Sequence, residues 1–131
     1  MTHNDPNPGM DAYEFILKNI DSVPHLEALM LLWNKRPAGC TREELASRLY
    51  ISTEKVTDLL RDLVRLRLIS ESHTAPPMYA YFAQEEQNEI MRLVDAAYRH
   101  DLVRISTMIH SKASSPIREF ARAFRLKKDR D

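Results

Sequence analysis

At 131 residues and 44% apolar content, the chain is sized for one folded domain with extensions, and its composition excludes general disorder. Nineteen Lys and Arg balance nineteen Asp and Glu, so net charge alone draws the molecule to no polyanion. The single cysteine, Cys40, excludes an internal disulfide, and with no bilayer-length apolar run or signal-like start the expected setting is the cytoplasm.

The first nine residues, MTHNDPNPG, hold two prolines, a glycine and no apolar cluster, which predicts a flexible tail. From Ala12 to Ile20, the residues Tyr13, Ile16, Leu17 and Ile20 recur at helical spacing, with Asp11 placed as an N-cap. A second helix is expected from Pro24 to about Lys35. Leu26, Leu29, Met30, Leu31, Leu32 and Trp33 surround it with apolar side chains, so it belongs inside the domain. Pro37 and Gly39 end it, and Ala38 to Cys40 can supply a short extra strand.

Thr41 with Glu44 three residues later is a capping-box signature, and Leu45, Ala46 and Leu49 give the helix that follows an inner face. Ser52 or Thr53 caps the next helix, whose stripe is Val56, Leu59, Leu60, Leu63 and Leu66. Two short strands, Leu68–Glu71 and Met78–Phe82, flank His73-Thr74-Ala75-Pro76-Pro77. Tyr79 and Tyr81 share one face of the second strand, and the paired prolines favour an extended loop.

Beyond the hairpin no Pro or Gly interrupts residues 84–111. Met91, Val94, Tyr98, Leu102, Ile105 and Ile109 form a stripe along a continuous helix of about 42 Å. That length exceeds a small domain, so the stripe is assigned to homodimerisation; packing back on residues 12–20 is the alternative. Ser115-Pro116 opens a last amphipathic helix with Ile117, Phe120, Ala121 and Phe124 on one face. Residues 111–131 carry seven Lys and Arg against three carboxylates, whereas residues 1–22 carry one against four. Any electrostatic footprint for nucleic acid therefore belongs near the C-terminus, where Arg118, Arg122, Arg125, Lys127 and Lys128 are candidates for DNA backbone or an acidic partner.

The expected architecture is mainly α with a small β-hairpin: a winged helix-turn-helix with an N-terminal and a long C-terminal helical extension. Its parts are a tail (1–9), the winged domain with its preceding helix (10–83), the dimerisation helix (84–112) and a basic amphipathic helix (113–131). A helix-turn-helix followed by a hairpin points first to nucleic acid, because the second helix is shaped to enter the major groove. Residues 24–82 resemble the winged helix-turn-helix family of bacterial transcription regulators, on TREELASRLYIS followed by TEKVTDLLRDLVRLRLI. The resemblance implies that Thr53, Glu54, Lys55, Thr57, Asp58, Arg61 and Arg65 lie on the DNA-reading helix, and that the hairpin loop touches phosphate or the minor groove. It also implies a dimeric regulator binding double-stranded DNA.

Two features pull the other way. Projected at about 100° per residue, the outer face of the reading helix holds Glu54 and Asp58 beside Arg61 and Arg65, and carboxylates repel phosphate. The loop from Ser72 to Pro77 has no Lys or Arg. Both favour the alternative of a winged-helix protein-interaction module without DNA binding, with Phe120 and Phe124 as anchors for a protein partner. The five histidines and Cys40 show no metal-ligand spacing, and two glycines leave no phosphate-cradling loop. No serine sits in a nucleophile motif, so neither cofactor, metal nor enzymatic activity is expected.

Overall fold

The computed structural model describes residues 8–113. Among them are six helices and one hairpin: α1 (Pro8–Asn19), α2 (Val23–Lys35), α3 (Arg42–Leu49), α4 (Thr53–Arg65), β1 (Ile69–Glu71), β2 (Tyr79–Tyr81), α5 (Glu85–His100) and α6 (Leu102–Ala113). Helix α1 begins at Pro8, ahead of the expected cap at Asp11, because a proline is at home in a first helical turn. The basic helix expected over 113–131, with Arg118, Arg122, Arg125, Lys127, Lys128 and the Phe120–Phe124 pair, lies almost wholly outside the described residues.

The winged unit is built as its local signals dictate. The Ser22 hydroxyl accepts from the His25 amide and starts α2, with Pro24 in the first turn. Leu26, Ala28, Leu29, Met30, Leu32 and Trp33 are buried, which makes α2 the central helix. Thr41 and Glu44 form a complete capping box, with the Glu44 amide donating to Thr41 Oγ1 at 3.1 Å and the Thr41 amide to Glu44 Oε1 at 2.8 Å. That hydrogen bond, joined by the Thr41 hydroxyl, holds the Glu44 carboxyl below its ordinary range. A Thr41→Ala variant is expected to lose about 1 kcal/mol of stability, read from a shifted urea midpoint.

The hairpin is antiparallel, pairing Ile69 with Tyr81, Ser70 with Ala80 and Glu71 with Tyr79. Cys40 adds the expected third strand as a single bridge, its amide donating to the Tyr79 carbonyl at 2.8 Å and its carbonyl accepting from the Tyr79 amide at 2.7 Å. Tyr81 stands edge-on to Trp33 at 4.9 Å between ring centroids, fixing the hairpin to α2. The loop bends instead of extending, with a cis Ala75–Pro76 bond. Ser72 closes it, meeting Thr74 Oγ1 at 2.6 Å and accepting from the Met78 amide at 2.9 Å.

The continuous helix expected over 84–111 is instead two helices. Asp101 breaks it at φ −143° and ψ 38°, and its carbonyl accepts from the Ile105 amide to open α6. Tyr13 Oη on α1 donates to Asp101 Oδ2 at 2.5 Å, which pins the break to the N-terminal helix. That hydrogen bond is the main reason the Tyr13 phenol titrates above its ordinary value. At the far end Lys112 Nζ donates to the Leu17 and Ile20 carbonyls, closing the C-terminus of α1.

This folding-back gives much of the stripe a partner within the chain, the alternative that the spacing left open. Met91, Val94, Ile105 and Ile109 are fully buried in the chain's own core with Ala12, Ile16 and Ile20 of the α1 segment. Tyr98 is half-buried against the same core and Leu102 is exposed. Four of the six stripe residues thus satisfy their apolar surface inside one chain, and Tyr98 and Leu102 remain at least partly open to solvent. Asn34 and Arg99, joined at 2.8 Å and both meeting Asp95, tie α2 to α5 and hence the winged unit to the helical layer.

Candidate nucleic-acid interface

The face a groove would meet is assembled by α3, the turn after it, α4 and the hairpin. Val56, Leu59, Leu60 and Leu63 bury the inner side of α4, which leaves its outer side to solvent by helical geometry alone. The Ser52 hydroxyl accepts from the Lys55 amide at 3.2 Å and sets the start of the helix. Thr53, Glu54, Lys55, Asp58, Arg61 and Arg65 are all exposed. Thr57 is half-buried, returns its hydroxyl to the Thr53 carbonyl at 2.7 Å, and accepts from Arg42 of α3 at 3.4 Å. The structure thus brings six of the seven expected reading-helix residues fully to the surface and turns Thr57 partly inward.

The two arginines of this face are paired along the helix. Arg61 stands 3.5 Å from Asp58 and Arg65 stands 2.9 Å from Asp62. Both arginines are well exposed, and such pairs are worth only about 0.3–0.5 kcal/mol, so a phosphate or base edge competes easily for either guanidinium. Between α4 and the hairpin lies a cavity of about 200 Å³ lined by Thr57, Arg61, Val64, Glu71 and Tyr79. Burial, followed by the nearby Glu71 carboxylate, raises the Tyr79 phenol above its ordinary value, so this hydroxyl stays protonated as a donor at neutral pH.

Spacing gave no hint of the tie between α2 and the reading helix. His25 Nε2 lies 2.9 Å from Asp62 Oδ2, and its Nδ1 lies 2.6 Å from Ser22 Oγ. Asp62 is shared, one oxygen facing His25 and the other Arg65. The N-cap of α2, the central helix and α4 are therefore linked by one hydrogen-bonded chain that sets how α4 is presented. A Ser22/His25 pair three residues apart at a helix start was the available signal, but its partner is 37 residues away in sequence.

Charge on the winged segment is balanced: residues 41–82 hold six Lys and Arg and six Asp and Glu. Among the described residues no group of His, Cys, Asp and Glu is arranged to hold a metal ion, and no helix is long and apolar enough to cross a membrane.

No protein-family model matches the chain, and no curated protein matches it. Solved structures do. RV1404 from Mycobacterium tuberculosis is 17% identical, with a TM-score of 0.54 over 93% of this chain and 82% of that one. MepR, a transcription regulator of the Staphylococcus aureus multidrug efflux pump MepA, is 20% identical, with a TM-score of 0.51 over 92% of this chain and 87% of that one. A MepR–DNA complex gives 17% identity and a TM-score of 0.52, covering 93% of this chain and 90% of its own. The chain has the winged helix-turn-helix fold, as its segment from Pro24 to Phe82 led one to expect. The similarity extends beyond that segment, through the flanking helices that form the second layer.

Proposed function

We propose that this chain is a DNA-binding transcription regulator that acts as a dimer in the cytoplasm. The observation that carries the reading is the presentation of α4: its inner stripe is sealed in the core, and its polar outer face is exposed beside a hairpin. In this reading Thr53, Glu54, Lys55, Asp58, Arg61 and Arg65 enter the major groove, and Arg61 and Arg65 exchange their carboxylate partners for DNA. Glu54 and Asp58 accept from cytosine N4 or repel phosphate, which makes them discriminating residues more than affinity residues. The solved MepR–DNA complex, similar in fold, supports DNA as the ligand, and double-stranded DNA is the form whose major groove α4 would enter.

Arg118, Arg122, Arg125, Lys127 and Lys128 supply the salt-sensitive backbone contacts that the cation-free wing lacks. The dimer contact uses apolar side chains left outside the core, Leu17 on α1 and Leu102 and Val103 at the start of α6. Arg61→Ala is expected to weaken binding to a selected site by about tenfold while leaving mixed-sequence binding nearly unchanged. The pair Arg122→Ala with Lys127→Ala weakens binding to every duplex and lowers the salt slope by about two. Unchanged affinity in both variants, measured by fluorescence anisotropy, sinks the proposed surface.

The neutral wing and balanced reading face favour a second reading, a winged-helix module that binds protein through the same surface and through Phe120 and Phe124. It predicts no duplex binding at any salt concentration and capture of a protein partner that Arg61→Glu releases.

A further inference from the structure

Helices α3 and α4 both stop on residues in the left-handed region that are not glycine. Tyr50 ends α3 at φ 57° and ψ 42°, and Arg67 follows α4 at φ 61°. Among the described residues these are the two non-glycine positions with positive φ. Glycine or asparagine is the usual occupant of such a helix stop, because a side chain there crowds the backbone. The strain at Tyr50 brings no packing in return. The side chain is 92% exposed, the most exposed large hydrophobic residue described, and it makes no hydrogen bond to the described residues.

Its place in the chain is informative. Tyr50 occupies the turn of the helix-turn-helix, immediately before Ile51, the capping Ser52 and the first exposed turn of α4 with Thr53, Glu54 and Lys55. That is the end of a reading helix that meets DNA, where backbone amides and a lysine already attract phosphate. Arg67 sits at the opposite end, beyond the roughly 20 Å length of α4. In sequence Tyr50 lies between Leu49 and Ile51, both partly buried against the core, and the nearest exposed residues are Arg48 and Ser52 to Lys55. An exposed aromatic whose following residues Ser52, Thr53 and Lys55 are polar stands at the edge of the reading helix, where a polyanion is the ligand of the reading above. A phenol hydroxyl is a regular donor to DNA phosphate, and it adds backbone contact without a cation on a segment whose charges cancel.

We propose that Tyr50 is a DNA-backbone contact, its hydroxyl donating to a phosphate oxygen flanking the groove that α4 enters. This rests on the DNA-binding reading above. The strained backbone makes the test unusually clean, because glycine relieves the strain while removing the contact. Tyr50→Gly is expected to raise the melting temperature by about 3–6 °C and to weaken binding to a fluorescent mixed-sequence duplex by about five- to tenfold. Tyr50→Phe keeps the ring and the strain; it is expected to leave the melting temperature unchanged and to weaken binding to a similar extent. Arg67→Gly is the control, raising the melting temperature with less than a twofold change in affinity at near-physiological salt.

A more stable Tyr50→Gly that binds the duplex as well as the parent overturns the proposal and leaves the DNA reading intact. So does a Tyr50→Phe variant with full affinity. A destabilised Tyr50→Gly overturns it as well, because the ring then has a structural contact. A parent protein that binds no duplex at low salt overturns the contact and the DNA reading together.

Discussion

An Ile105→Asp variant is expected to lose its folded structure. Ile105 lies on α6 with no exposed surface, inside the cluster that holds Ile16 and Ile20 from the first helix and Met91 and Val94 from the fifth. A carboxylate placed there has no partner to compensate its lost hydration, and a lone buried charge costs about 3–5 kcal/mol. That approaches the whole stability of a domain of this size, about 5–15 kcal/mol. Far-UV circular dichroism and thermal melts should show reduced helix and no cooperative transition. Val103→Asp, two residues earlier and 81% exposed, should keep its helix content and a cooperative transition, losing at most what the proposed dimer contact adds. If Ile105 lay on a dimer seam, Ile105→Asp would instead give a well-folded monomer with normal secondary structure. The pair of variants therefore separates the chain's core from the apolar side chains exposed on α6.

Gly39→Ala is the second large effect. A Cβ at this position would lie 2.7 Å from the Tyr79 carbonyl oxygen, 3.2 Å from its carbon and 3.4 Å from the Ala80 side chain. The obstacle is close approach of two backbones, since Gly39 does not adopt a positive φ. The crowded carbonyl is also the acceptor for the Cys40 amide, so relief of the clash breaks the bridge that fastens the hairpin to the end of α2. A cost of about 2–3 kcal/mol follows from one lost buried hydrogen bond plus local overpacking. Urea titration should show a lower midpoint at unchanged slope, and the amides of Cys40 and Tyr79 should exchange faster with solvent. A parent-like midpoint with full protection of both amides contradicts this account of Gly39. Because the bridge sets the hairpin beside α4, the same variant should also weaken any contact made jointly by wing and reading helix.

Local chemistry made the winged unit legible. The capping box at Thr41 and Glu44, the stop at Pro37 and Gly39, and the alternation of Tyr79 and Tyr81 are each decided within a few residues, and each appears where its rule places it. The outer face of α4 was legible for the same reason, since the sealed Val56, Leu59, Leu60 and Leu63 determine what points outward. Leu66, expected on that stripe, is instead exposed at the helix stop. The second layer was not. The spacing of Tyr98, Leu102, Ile105 and Ile109 runs undisturbed through the break at Asp101, because one non-helical residue barely shifts the phase of a stripe. Periodicity reports which side chains are buried and is silent on whether the partner is α1 or another copy. What brings α1 to the break is Tyr13 reaching Asp101 across 88 residues, a tertiary contact with no local signature. The bond from His25 to Asp62 escaped for the same reason. The backbone of Tyr50 had a fainter signal, a bulky residue at a helix stop where glycine is usual.

The balance of charge on the winged segment leaves one property on which everything else depends: affinity for duplex DNA. The most direct measurement is anisotropy of a fluorescent mixed-sequence duplex titrated with the full chain, at low and at near-physiological salt. The account predicts micromolar binding that weakens steeply as salt rises, because the C-terminal cations displace counterions from phosphate. Absence of binding at low salt would contradict it and assign the surface of α4 to a protein partner.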